Sequence, residues 1–186
     1  MEKKVKILSF AGSLRKQSCN RGLLQAALEV APSNCNLEIF DLEGIPLYNQ
    51  DEEMKLPQSV VRLKAKVRAA DAILIATPEY NYSIPGVLKN ALDWGSRPYG
   101  DNAWDNKPVA IMGASPGMQG TSRAQYHLRQ VFVYLNMHPL NQPEVMIGSA
   151  HDRFDAKGSL TDPKTRQKIA ELLTALTICA RHRSTC

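Results

Sequence analysis

Between Gly12 and Asn20 the chain reads Gly12-Ser13-Leu14-Arg15-Lys16-Gln17-Ser18-Cys19-Asn20, a run of hydroxyl, amide and guanidinium donors directly behind the apolar stretch Val5 to Phe10. A strand-to-helix junction of this kind aims backbone N–H groups and the positive end of a helix dipole at one point. Ser13, Ser18 and Asn20 add neutral donors, and Arg15 adds a charged fork. That is the chemistry of a phosphate pocket. The loop has neither G-x-G-x-x-G nor G-x-x-x-x-G-K-[ST], so a terminal phosphomonoester fits better than a pyrophosphate or triphosphate. The competing reading is that Ser18 caps the helix and the rest face water. Cys19 stands beside the expected phosphate site at the helix start, and the simpler account is an incidental small residue.

Two further loops carry residues suited to a flat ring system. Thr77-Pro78-Glu79-Tyr80-Asn81-Tyr82-Ser83-Ile84-Pro85-Gly86 combines two tyrosines, an asparagine and rigid prolines, which can stack on a ring and bond its edge. A tyrosine-rich turn packed on its own helix is the plainer alternative. Ala114-Ser115-Pro116-Gly117-Met118-Gln119-Gly120 is punctuated by glycines that allow backbone to approach a ligand closely. Alone it is a weak signal.

The elements around these loops alternate between strand and helix. Strands are expected at Val5 to Phe10, Leu37 to Leu42, Ala72 to Ala76, Val109 to Met112 and Glu144 to Ile147. Helical spacing marks Leu23, Leu24, Ala27 and Leu28 behind Ser18, and Val60, Leu63, Lys64 and Val67 after the turn-rich segment Gly44 to Pro57. It recurs in a third helix from about Ser83 that buries Val87, Leu88, Ala91 and Leu92, and in Ala124, Leu128, Val131, Phe132 and Leu135. Asp162-Pro163 opens a last helix with Ile169, Leu172, Leu173 and Leu176. Such alternation predicts an α/β fold, a doubly wound five-stranded parallel sheet with helices on both faces. Ligands of that architecture sit beyond the carboxyl ends of the strands where the strand order reverses, and flavodoxin-like folds hold the FMN phosphate there. The three loops therefore converge on one site, and FMN is the expected cofactor.

Composition narrows the rest. With 186 residues and 44% hydrophobic content, one domain spanning 1–186 is expected. The formal charge of +5 comes from basic residues mixed with acids, only Arg181-His182-Arg183 being locally basic, so no nucleic-acid partner is expected. The apolar run at the start is far short of a signal core or a membrane span, which gives a cytoplasmic protein without a membrane partner. Cys19, Cys35, Cys179 and Cys186 show no metal spacing and are expected as free thiols. His127, His138, His151 and His182 make no metal set either.

AGSLRKQSCN, the segment TPEYNYSIPGVLKNALDW from Thr77 to Trp94 and RAQYHLRQ from Arg123 to Gln130 resemble the NADPH-dependent FMN reductase family, which includes bacterial quinone, azo-dye and chromate reductases. The likeness in motif order runs to about Asp155. It implies that Ser13, Arg15, Ser18 and Asn20 hold the FMN phosphate, that Pro78, Glu79, Tyr80, Asn81 and Tyr82, with Ser83 beside them, border the ring and ribityl chain, and that Ser115 and Gly117 approach the ring. It also implies NADPH or NADH as electron donor, a small-molecule acceptor, and a homodimer or homotetramer in which Gly44 to Gln58, Tyr126, Arg129 and Glu144 contribute contacts. One departure is Gly117-Met118-Gln119-Gly120-Thr121, where relatives often have adjacent glycines. The alternatives are a flavodoxin-type electron carrier without pyridine-nucleotide oxidation, which the basic charge disfavours, and a nucleotide-binding module without flavin, which leaves the tyrosine loop without a purpose.

Overall fold

In a computed structural model, residues 3–182 of the chain are described. Strands β1 (Val5–Ala11), β3 (Ala72–Ala76) and β4 (Pro108–Ala114) are buried along their length apart from Lys6, as continuous apolar runs require in strands covered on both faces. Their side chains alternate between two layers. Ile7, Leu74 and Met112 pack with α1 (Cys19–Val30) and α5 (Pro163–Arg181). Leu8, Phe10, Ile73, Ile75 and Ile111 pack with α2 (Gln58–Ala69), α3 (Gly86–Gly95) and α4 (Ser122–Leu135).

The sheet is parallel in the order β2-β1-β3-β4, with β2 (Cys35–Ile39) at one margin. Chain direction along the sheet reverses between β1 and β3, so the crevice opens beyond their carboxyl ends. The β2 strand lies earlier than the apolar pattern suggests: after Phe40 donates its N–H to Ser9 O the chain leaves the ladder, and Phe40 and Leu42 are buried in the connection. At the other margin the expected fifth strand is present as β6 (Val145–Ile147), and a short piece not expected from sequence, β5 (His138–Pro139), is also paired to β4. Pro139 and Pro143, which have no N–H to give, punctuate that edge. The sheet thus has six strands rather than five.

Helix α3 starts at Gly86 with Pro85 as its cap residue, later than expected, because Ser83 is paired to Tyr80 across a tight turn. Val87 and Val131 are only partly buried. The segment between β2 and α2 holds one 3-10 turn, Gln50–Lys55, capped by the Asn49 side chain. Trp94 and Trp104 are wholly buried, their indole N–H groups given to Pro46 O and Leu92 O. Cys19 and Cys35 are free thiols, and burial pushes the Cys35 thiol up. Cys179 is disulfide-bonded, which corrects the expectation of four free thiols; Cys186 lies outside the described residues. Among the described residues no helix is long and apolar enough to cross a membrane.

Lys64, on the apolar stripe of α2, is buried together with its charge. Its ammonium meets the Asp101 carboxylate at 2.7 Å and the Arg97 carbonyl, and Arg68 joins the same carboxylate. The hydrogen bond from Lys64, with the charges of Lys64 and Arg68, holds the Asp101 pKa below its ordinary value. At the start of α5, Asp162 is lowered too, first by the Thr165 hydroxyl and then by the Thr165 N–H and Arg153. A carboxylate depressed in the folded state adds stability above the ordinary aspartate pKa of about 3.9, and that stability is lost as pH falls through the folded value. Urea unfolding between about pH 5 and about pH 2 is expected to show an acid loss that an Asp101→Asn/Asp162→Asn double variant reduces.

Candidate active site

Helix α1 starts behind Ser18, whose hydroxyl accepts the Asn20 N–H at 3.2 Å. Ser13 Oγ accepts the Arg15 N–H at 3.3 Å, which curls the loop back on itself. Ser13 and Ser18 are buried, whereas Arg15 is exposed and gives Nη2 to Gln17 O at 2.8 Å. The N–H groups of Ser13, Leu14, Lys16 and Gln17 bond to nothing among the described residues. Main-chain donors without partners ahead of a helix start are the groups that an oxyanion cradle requires.

Asn20 serves this loop differently from the expectation. Its Nδ2 donates to Ala114 O and its Oδ1 accepts the Ala114 N–H, each at 2.9 Å, so both ends of the amide tie α1 to the carboxyl end of β4. Asn20 therefore holds two walls of the site in register. Arg21, not singled out from sequence, braces the loop from behind: Nε donates to Ser13 O at 3.2 Å and Nη2 to both Asp41 oxygens at 3.0 Å. In the sequence it is one more arginine in a first helical turn, and only the fold brings Asp41 to it.

The second loop is a two-residue hairpin. Tyr80 and Ser83 exchange N–H···O bonds at 3.0 Å, and both intervening residues have positive φ, 50° at Asn81 and 67° at Tyr82. This is the geometry of a type I′ turn, which asparagine tolerates and tyrosine resists. Tyr80 and Tyr82 are exposed. The Arg123 guanidinium lies 3.8 Å from the centre of the Tyr82 ring, Glu79 pairs with Arg123, and His127 Nδ1 is 3.0 Å from Ser83 Oγ.

The third loop is fastened to β6 and the segment after it. Ser115 donates its N–H to Ile147 O and accepts the Ala150 N–H, while Gly117 O accepts from Gly120 and Ser149. Gly148 runs so close beneath that a Cβ would stand 2.3 Å from Met118 O. The loop is thereby presented as a rim with Met118 exposed at its tip.

The three loops enclose a cleft of about 220 Å³ lined by Ser13, Arg15, Ser18, Cys19, Asn20, Pro78, Glu79, Tyr80, Ala114, Ser115 and Pro116. Of the residues singled out from sequence, Asn81, Tyr82, Ser83 and Gly117 stand outside that lining. A smaller cavity of about 70 Å³ behind the Arg21–Asp41 pair is separate. No group of histidine, cysteine and acidic side chains suited to a metal occurs among the described residues.

A donor-rich helix start and an aromatic hairpin beyond the carboxyl ends of β1 and β3 are what a flavodoxin-like oxidoreductase architecture places at the strand reversal. Residues 5–152 match the NADPH-dependent FMN reductase family, and the chain belongs to it. An NAD(P)H-dependent FMN reductase of Pseudomonas aeruginosa is 52% identical over 97% of this chain and 98% of its own. A 2-hydroxy-1,4-benzoquinone reductase of Burkholderia is 43% identical over 96% and 98%. The solved structure of FerB, a flavoenzyme NAD(P)H:(acceptor) oxidoreductase from Paracoccus denitrificans, superposes with a TM-score of 0.87 at 35% identity, covering 96% of this chain and 98% of that one.

Proposed function

We propose that this protein draws electrons from NAD(P)H and passes them in pairs, through one FMN held in the cleft, to a small acceptor of the quinone class. The observation that carries the reading is that Ser13, whose N–H has no partner among the described residues, lines one cleft together with Arg15, Ser18 and Tyr80. The relatives named for quinone and FMN reduction support the acceptor class. FMN, when bound, supplies the redox chemistry, accepting hydride from the nicotinamide and giving up two electrons.

The chain's own residues bind and orient. The loop N–H groups and the hydroxyls of Ser13 and Ser18 take the phosphate, with Arg15 screening its charge from the solvent side. Pro78, Tyr80 and Asn81 border the ring and ribityl chain, with Tyr82 and Ser83 completing the hairpin, and Ser115 and Gly117 form the opposite rim. No side chain is required to move a proton in the first half-reaction, which accounts for a cleft without a buried acid–base pair. Arg15→Ala is expected to weaken FMN binding about tenfold, roughly 1.4 kcal/mol, with unchanged circular dichroism; a flavin fluorescence titration measures it.

The same reading makes residues 1–186 a single FMN-binding domain that assembles as a homodimer or homotetramer in the cytoplasm. Support for assembly comes from exposed Tyr126, Val133 and Tyr134, all on α4. The deciding experiment is anaerobic titration of the FMN-reconstituted protein with NADPH and then NADH. Stoichiometric bleaching reversed by a quinone supports the reductase. A bound flavin that only dithionite reduces would instead make the protein an electron carrier.

A further inference from the structure

We propose that Glu79, for which the family resemblance implies a place beside the ring, is a positioning residue that fixes the Tyr80–Ser83 hairpin to the first turn of α4. The inference rests on the reading of the cleft as an FMN site. Helix α4 begins without a side-chain cap of its own: Thr121 occupies the cap position and makes no capping bond, its hydroxyl instead accepting from Gln125 Nε2. The N–H groups of a first helical turn need acceptors. Glu79 supplies them from another part of the chain, Oε2 accepting the N–H of Arg123 at 3.0 Å and of Ala124 at 3.2 Å.

Its other oxygen, Oε1, takes the Arg123 guanidinium, and the carboxylate side chain is only 6% exposed. Both oxygens are thus directed at α4, where a negative charge also favours the helix dipole. Arg123 closes the circuit by lying over the Tyr82 ring, and Ser83 is held by His127 of the same helix. A turn with asparagine and tyrosine in the left-handed region persists only where its surroundings hold it. Here the hold is Glu79 on one side of the turn and Arg123 above it. Tyr80, one residue from Glu79, lines the cleft, so a shift of the hairpin moves the wall against which the nicotinamide must be aligned.

The test uses FMN-reconstituted protein carrying Glu79→Gln, Arg123→Gln, both together, or Glu79→Asp, with flavin reduction followed at saturating NADPH. Misalignment predicts that each Gln variant slows reduction about tenfold. The double variant should be no slower than the slower single one, because both break one link. Glu79→Asp should recover part of the rate, and FMN affinity and flavin reduction potential should stay at the wild-type values. A shifted potential with additive losses would make Glu79 a direct flavin contact and overturn the proposal. Unchanged reduction rates with only a lower melting temperature would reduce Glu79 to a structural cap and overturn it as well. Wild-type protein that binds no FMN, or is not reduced by NADPH, would overturn the functional reading and this proposal with it.

Discussion

Asn20→Ala will lower stability by about 2–6 kcal/mol and weaken FMN binding by about tenfold or more. The Asn20 amide is buried and satisfies both the N–H and the C=O of Ala114. Removing it leaves two buried main-chain groups without partners, at about 1–3 kcal/mol each. The functional loss has a separate origin. Ala114 leads directly into the Ser115 loop and Asn20 directly out of the phosphate loop, so the amide sets the spacing between two walls of the cleft. Urea unfolding gives the first quantity and a fluorescence titration the second. Wild-type FMN affinity in a destabilised variant would show that the spacing is set elsewhere.

Gly22→Ala comes next, and the reason is steric. A Cβ at Gly22 would stand 2.0 Å from the carbonyl oxygen of Gly158 and 3.1 Å from the Phe154 ring. Forcing a methyl group against backbone costs about 1–3 kcal/mol. The displaced segment matters beyond stability, because a Cβ at Gly158 would stand only 3.5 Å from Gln17 O, which puts the segment beside the loop ahead of α1. We expect a lower unfolding midpoint together with weaker FMN binding, whereas an exposed control such as Gln25→Ala in the same helix leaves both unchanged. Retained affinity in Gly22→Ala would mean that the 155–160 segment does not support the loop.

The parts of this molecule that were legible in sequence are those governed by local rules. Strand β3 follows directly from Ala72-Ile73-Leu74-Ile75-Ala76, and helix α1 from Ser18 and the spacing of Leu23, Leu24 and Ala27. The three site loops were legible because each sits at the end of an apolar run. The relations made at long range were not. Asn20 reads as one more polar donor until β4 is brought beside it, 94 residues away. Glu79 reads as a ring neighbour until Arg123 and Ala124 present their N–H groups to it. The extra strand beside β4 escaped for another reason: a two-residue piece such as His138–Pro139 has no periodicity to detect. The late start of α3 depends on positive φ at Tyr82, which residue preference argues against.

The broken margin of the sheet bears on how copies of the chain meet. A long free strand offers a continuous row of N–H and C=O groups that a neighbouring chain can extend, and this is a common route to uncontrolled aggregation. Beside β4 the outermost strands are pieces of two and three residues, too short to template such growth. Ribbon-like extension through that side of the sheet is therefore closed.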